Sequence, residues 1–213
     1  MPRITANQVT IEYEERGAGY PVVFLHGSGV SWRCWTPQIP VFSPHYRMIM
    51  PNMRGHGGSS PLPRTDHYHE LMADDLKAFL DALGIRKAHV VGLSMGAVVA
   101  LRSAVKYPAC VDRLVSVCGY SATPTFDVLL WLGNAIYSVL SLRTILRLVD
   151  HSLKALKANE LTRRTIRESI AIDKATFIKL KFIRFPAFTD QLVRITAPTL
   201  VMGGHGIKFE AKE

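Results

Sequence analysis

Cysteine is scarce in this sequence of 213 residues. Only Cys34, Cys110 and Cys118 are present, and no two of them form the C-x-x-C pair of a zinc ribbon or redox motif. Three widely spaced cysteines do not make a disulfide framework. A chain of this length buries roughly 70% of the surface that its unfolded form exposes, so it can fold without disulfide bonds. We therefore expect one domain, or one domain carrying an insertion, with reduced cysteines, no metal ion and no cofactor.

Long apolar segments are absent as well. The first eight residues lack the apolar stretch of a secretory signal. The longest apolar run, Val128–Leu142, is interrupted by Gly133, Asn134 and Ser138. It falls short of the roughly 18 to 20 apolar residues that a membrane-spanning helix needs. We expect a cytoplasmic protein in which this run forms a buried or interfacial helix.

Acidic residues are fewer than basic ones, and most of the excess positive charge lies in one segment. The chain has 26 Lys and Arg against 17 Asp and Glu, and eleven of these cations but only four of the acids lie between Arg143 and Arg184. Such a segment could attract phosphate, acidic lipid or nucleic acid. No zinc finger, RNP motif or helix-turn-helix pattern accompanies it, so we expect no nucleic-acid partner. Two interpretations stay open: an ordinary solvated helical face, and weak contact with a membrane surface through Val128–Leu142 and the basic segment that follows it.

Strand-like and helix-like patterns alternate along the chain. Strands are predicted at residues 9–14, 22–25, 47–50, 89–91, 114–118 and 199–202, and helices at 72–83 and 95–107. This alternation predicts an α/β fold with a mostly parallel sheet and right-handed crossovers. Residues 125–192 are helical in pattern, so we expect a core over 1–124, a helical cap over 125–192 and a return to the core over 193–213. The cap should cover the carboxyl ends of the strands, where open α/β sheets bind ligands. Its apolar residues Phe126, Leu130, Trp131 and Tyr137 are predicted to line a pocket.

The segment Gly92-Leu-Ser-Met-Gly96 matches G-x-S-x-G. It follows an apolar strand and opens a helix, and this context exposes a serine on a strained turn. The small residues beside Ser94 allow the turn to close without clashes. The helix N-terminus favours negative charge developing near Ser94. Ser94 is therefore the candidate nucleophile.

A second glycine-rich segment, His26-Gly-Ser-Gly29, directly follows another buried strand. Acyl transfer generates an oxyanion, and backbone N–H groups aimed at it lower the barrier by several kcal/mol. The candidate donors are the N–H groups of Ser28 and Met95. Alone, this segment could be an ordinary glycine-rich turn; the serine motif downstream favours the catalytic interpretation.

Five motifs in this order resemble the α/β-hydrolase family: His26-Gly-Ser-Gly29, Pro51-Asn-Met-Arg-Gly-His-Gly-Gly-Ser59, Ala73-Asp-Asp-Leu76 with Leu83-Gly-Ile85, Val91-Gly-Leu-Ser-Met-Gly96, and Ile195-Thr-Ala-Pro-Thr-Leu200. The resemblance implies an eight-stranded sheet with a helical cap, and serine-dependent hydrolysis of an ester, lactone or related acyl compound. It is nearest to the small esterases and enol-lactonases. A serine at position 94 argues against the aspartate-dependent dehalogenases and epoxide hydrolases.

The catalytic acid and base are where the sequence departs from that family. The family's acid follows the strand matched by Thr199–Met202, but no carboxylate stands at the matching positions, and Glu210 is the candidate for a displaced acid. The family's catalytic histidine lies beyond one further strand, before which this chain ends, and His205 is the remaining candidate. We expect a chain truncated before the last strand and helix.

Two functional hypotheses follow. The first is a serine hydrolase of a small acyl compound whose turnover is near background, because a serine without a positioned base is a poor nucleophile. The second is a non-catalytic ligand-binding or interaction protein that retains the pocket. The sequence does not specify the substrate or the oligomeric state.

Overall fold

The computed structural model describes residues 1–63, 67–122, 132, 135–136, 138–155, 157–173, 175–176, 180 and 187–203. Its strands are β1 (Arg3–Ala6), β2 (Val9–Arg16), β3 (Pro21–Leu25), β4 (Arg47–Pro51), β5 (Ala88–Leu93), β6 (Val111–Val117) and β7 (Thr199–Met202). They form one sheet in the order β1-β2-β4-β3-β5-β6-β7. The pairs β1–β2 and β2–β4 are antiparallel, and the strands from β4 to β7 are parallel. The predicted α/β fold with a mostly parallel sheet is confirmed.

The helices are α1 (Ile39–Phe42), α2 (Tyr68–Ala82), α3 (Met95–Lys106), α4 (Leu142–Ala155) and α5 (Glu160–Ser169), with 3₁₀ helices at Trp32–Gln38, Pro108–Cys110 and Thr189–Arg194. α3 ends as predicted, because Pro108 drives Tyr107 out of the helical region, to ψ 57°. α2 ends at Ala82, and Gly84, two residues later, adopts a left-handed φ of 70°. Both predicted core helices are present.

The central strands are buried on both faces, as their continuous apolar runs predict. In β3, Val23 and Leu25 face a core formed with α2 and α3. Val22 and Phe24 face the other side, where Trp32 and Trp35 cover the sheet. β7 is the outermost strand of the described sheet, and all four of its residues are exposed. The sheet is thus enclosed most fully around β3 and β4, while every second residue of β5 is only partly buried.

Three predictions of local structure need correction. β1 was not expected, and β6 begins at Val111, three residues before the predicted start. Within the segment predicted to be helical, Ile170 forms an antiparallel bridge with Val30. The two described helices of that segment, α4 and α5, agree with its helical pattern.

The basic helices α4 and α5 contain acidic residues that pair with their cations. Asp150 lies within 3.4 Å of nitrogen atoms of Lys154, Arg163 and Arg167. In α5, Arg164 pairs with Glu168 at 2.7 Å. These pairs account for several of the cations that the sequence concentrates here. In the described part of the chain, no helix is long and apolar enough to cross a membrane.

Candidate active site

Ser94 occupies a sharp turn between β5 and α3. Its φ of 52° and ψ of −113° lie outside the usual regions for a residue with a side chain. The turn is fixed on both sides, because the Ser94 N–H donates to the Val117 carbonyl at 2.8 Å and the Ser94 carbonyl accepts from the N–H of Ala97 and of Val98. Strain of this kind persists only where the surroundings impose it, as they often do at functional sites.

The two glycines of the motif allow this turn to pack. A Cβ atom on Gly92 would overlap the Gly96 carbonyl oxygen and lie 2.6 Å from the Ala97 Cα. A Cβ atom on Gly96 would overlap the Leu25 carbonyl oxygen. The α3 N-terminus can therefore approach β5 and β3 only because both positions lack a side chain.

The 26–30 loop lies directly against Ser94. A Cβ atom placed on Gly27 would lie 3.7 Å from the Ser94 Cβ and 3.6 Å from the Leu93 carbonyl oxygen. In the described part of the chain, the N–H groups of Ser28 and Met95 have no protein acceptor. The Ser28 Oγ is also buried without a hydrogen-bond partner. The structure thus brings the predicted loop and the predicted serine together, with unused donors on each.

His26 and His56 hold this loop rather than serving as bases. The Met53 N–H donates to His26 Nε2 at 2.9 Å, and the Gly29 N–H donates to His56 Nε2 at 3.1 Å. Both Nε2 atoms are therefore unprotonated, and each Nδ1 donates to a carbonyl, that of Gly27 or of Arg54. The rings meet edge to face, with centroids 4.7 Å apart. Burial lowers the pKa of His56 to about 4 and that of His26 well below its ordinary value.

These buried histidines make the protein acid-labile. Between pH 6.5 and 4 the unfolded chain binds a proton at His56 that the folded chain does not, so the free energy of unfolding falls as the pH falls through this window. His56 alone contributes about 3 kcal/mol. Urea unfolding followed between pH 5 and 7.5 should show this slope. His56→Gln should reduce the slope, whereas the matched change at the exposed His45 should leave it unaltered. An equal slope in His56→Gln would contradict the assignment.

Sequence reasoning missed a buried ion pair beneath the site. Arg54, which precedes the Gly-His-Gly turn, donates from Nε and Nη2 to both carboxylate oxygens of Asp75 on α2, at 2.8 and 2.7 Å. Asn7 Nδ2 donates to the same carboxylate at 2.8 Å. The side chains of Arg54 and Asp75 are only 10% and 7% exposed. The Ala73-Asp-Asp-Leu76 motif contained this acid, but nothing in the sequence identified its partner.

A carboxylate also ties the loop after β4 to the strand beside it. Glu12 of β2 accepts from Asn52 Nδ2 and from the Gly58 N–H, both at 2.8 Å. Asn52 Oδ1 in turn accepts from the Trp32 N–H at 2.9 Å. The hydrogen bonds to Glu12 lower the pKa of its carboxyl group, although burial opposes them. The loop after β4 and the 3₁₀ helix that follows the 26–30 loop therefore belong to one polar network.

Several predicted site residues lie outside the described residues. They are the candidate base His205, the candidate acid Glu210, and the predicted pocket residues Phe126, Leu130, Trp131 and Tyr137. Their roles stay predictions. In the described ranges, His26 and His56 are the histidines whose rings contact the loop beside Ser94, and their ring nitrogens are all engaged.

The sequence and the fold of this chain both match those of known proteins. The family model described as alpha/beta hydrolase fold matches residues 20–209. A 2-hydroxy-6-oxononadienedioate/2-hydroxy-6-oxononatrienedioate hydrolase from Cupriavidus pinatubonensis is 31% identical over 222 residues, covering 93% of this chain and 75% of that protein. A 2-hydroxymuconate semialdehyde hydrolase from a Pseudomonas species is 34% identical over a match that spans only 41% of its length.

Solved structures show the same fold. An enol-lactonase from Burkholderia xenovorans superposes with a TM-score of 0.83 at 20% identity, over 96% of this chain and 81% of that one. The family model covers most of the chain, and the relative from Cupriavidus pinatubonensis exceeds 30% identity over nearly all of it. The predicted family is confirmed: this chain belongs to the α/β-hydrolase fold family.

Proposed function

We propose that this chain is a serine-dependent hydrolase that attacks a carbonyl carbon of a small acyl compound, with Ser94 as the nucleophile. The observation that carries the proposal is the strained Ser94 turn at the start of α3, packed against the 26–30 loop. Attack by Ser94 Oγ would place negative charge on the carbonyl oxygen. The N–H groups of Ser28 and Met95 and the α3 dipole would stabilise that charge.

The substrate proposal combines two lines of support. The sequence motifs favour esters and lactones. The similar proteins include hydrolases named for compounds with a 2-hydroxy-6-oxo group, which carry a ketone carbonyl. Both classes present an electrophilic carbonyl to the nucleophile, and both generate an oxyanion on attack. We therefore assign this chain to carbonyl-directed hydrolysis and leave the leaving group, oxygen or carbon, to experiment.

Proton transfer requires a second group. Ser94 needs a base to accept its proton, and the candidates His205 and Glu210 follow β7, whose carboxyl end lies at the same edge of the sheet as Ser94. Loss of one member of a catalytic triad typically costs roughly 10⁶-fold in turnover. Ser94→Ala should therefore reduce steady-state hydrolysis of an activated ester to background. Loss of the same activity in His205→Ala or Glu210→Ala would identify the group that acts with Ser94, and activity that survives Ser94→Ala would contradict the proposal.

Covalent modification tests the nucleophile without requiring turnover. An alkyl fluorophosphonate should form a bond between phosphorus and Ser94 Oγ, with loss of fluoride from phosphorus and of the hydroxyl proton to the base, and peptide mass spectrometry should locate the adduct. Ser94→Ala should abolish labelling. The control Ser121→Ala, whose hydroxyl bonds Thr189, should not change it. A wild-type protein that acquires no adduct at Ser94 would refute the proposed function.

A further inference from the structure

A short segment of the cap is bonded directly to the 26–30 loop and to the residue that follows it. We call this segment, Ser169–Ile172, the cap tether. The Ser31 N–H donates to the Ser169 carbonyl at 2.7 Å, and the Ala171 N–H donates to the Gly29 carbonyl at 3.2 Å. The antiparallel bridge between Val30 and Ile170 lies between these bonds. The cap tether is thus hydrogen-bonded to the backbone that directly follows Ser28.

His56 and this tether belong to one hydrogen-bond network with the 26–30 loop. Its Nε2 accepts the Gly29 N–H, so the Gly29 residue is held at its N–H by His56 and at its carbonyl by Ala171. The next residue, Gly57, donates its N–H to the Ala171 carbonyl at 2.8 Å. The loop after β4, the 26–30 loop and the tether are therefore joined by three consecutive hydrogen bonds around one buried imidazole.

We propose that His56 is a positioning residue: it joins the cap tether to the 26–30 loop and thereby fixes the Ser28 N–H that is to stabilise the oxyanion. The inference rests on the proposed function, because it assigns a role to Ser28 at Ser94. Gly29 has a φ of 87°, a conformation that glycine leaves readily when nothing holds it. An oxyanion donor acts only when its position is fixed in advance, and Gly29 is the residue immediately after that donor.

The protonation state of His56 decides whether this hydrogen-bond network is intact. A protonated imidazole offers no acceptor at Nε2, so the Gly29 N–H would lose its partner. The groups around His56 are the His26 ring at 4.7 Å, the Asp173 carboxylate, which favours the protonated form, and Arg54, whose carbonyl accepts from Nδ1 and whose guanidinium is engaged by Asp75. Burial lowers the pKa of His56 more than Asp173 raises it, so Nε2 is unprotonated and the hydrogen-bond network is intact at neutral pH.

The test compares His56→Leu, which removes the acceptor, with His56→Gln, which keeps an acceptor that does not titrate. Amide hydrogen exchange by NMR should show the Gly29 and Ala171 amides exchanging at least about tenfold faster in His56→Leu. The Val98 amide, which bonds Ser94, reports on the rest of the fold and should not change. His56→Gln should restore protection. In the wild type, protection of Gly29 should fall as the pH approaches 4, and this dependence should be absent in His56→Gln. His45→Leu is the matched control.

The second measurement is the rate at which the fluorophosphonate probe modifies Ser94. It should fall about tenfold in His56→Leu and recover in His56→Gln. Unchanged exchange at Gly29 in His56→Leu would overturn the proposal, and so would faster exchange with an unchanged rate at Ser94. A wild-type Ser94 that the probe does not modify would refute the proposed function instead, while the exchange rates would still decide whether His56 joins the tether to the loop.

Discussion

Gly92→Ala is expected to destabilise the protein by more than about 3 kcal/mol, at or beyond the upper end of ordinary overpacking effects. The added Cβ would overlap the Gly96 carbonyl oxygen and crowd both the Cα and the N of Ala97. These are backbone atoms of the first turn of α3, so no side chain can rotate away to make room. β5 cannot retreat either, because it is paired with β3 on one side and with β6 on the other.

Urea unfolding followed by circular dichroism measures this effect, with Gly27→Ala as the control. A Cβ on Gly27 meets its nearest neighbours at 3.6 to 3.9 Å, which is ordinary van der Waals contact. Gly27→Ala should therefore change the free energy of unfolding by less than about 1 kcal/mol, although it adds a methyl group beside Ser94. A Gly92→Ala protein as stable as the wild type would show that the turn is packed less tightly than the structure indicates.

The buried strands were the part of the fold most accessible to prediction. β3 and β4 are apolar on both faces, and such runs are visible without knowledge of their partners. β1 was missed because Arg3–Ala6 is short and only Ala6 is buried, and the pairing with β2 stabilises a strand that the local pattern does not indicate. The signal that could have revealed it is the two-residue turn at Asn7 and Gln8, where φ is 49° and 58°. Asparagine favours this conformation, but glutamine does not, so the hairpin signal was incomplete.

The candidate site was likewise predictable only in part. Ser94 and the 26–30 loop were predictable because each is encoded by a few adjacent residues at the end of a strand. The contacts that support them join residues far apart in the chain, such as Arg54 with Asp75, His56 with Gly29, and Ala171 with Gly29. A histidine in a glycine-rich loop does not indicate which amide it will accept from. The sequence therefore predicted the groups proposed to react, whereas the groups that hold them became visible only in three dimensions.

Arg54→Met should cost about 3 to 5 kcal/mol in the free energy of unfolding, the usual effect of leaving one partner of a buried ion pair unpaired. Of the hydrogen bonds to Asp75 from the described residues, the one from Asn7 would remain, in a site where the Asp75 side chain is 7% exposed. Because Arg54 also contributes the carbonyl that orients His56, loosening the loop after β4 should accelerate amide exchange at Gly29 as well. Urea unfolding at pH 7 and NMR exchange measure the two effects.

Two controls separate burial from charge removal as the cause. Lys77→Met breaks the exposed pair between Lys77 and Asp81 on the same helix as Asp75, and should cost less than about 0.5 kcal/mol. The double variant Arg54→Met with Asp75→Leu removes both charges and should be more stable than Arg54→Met alone, since no uncompensated carboxylate remains buried. A double variant less stable than Arg54→Met would mean that Asp75 stabilises α2 through contacts other than the ion pair. That result would contradict the view that Arg54→Met loses stability because it leaves the Asp75 carboxylate unpaired.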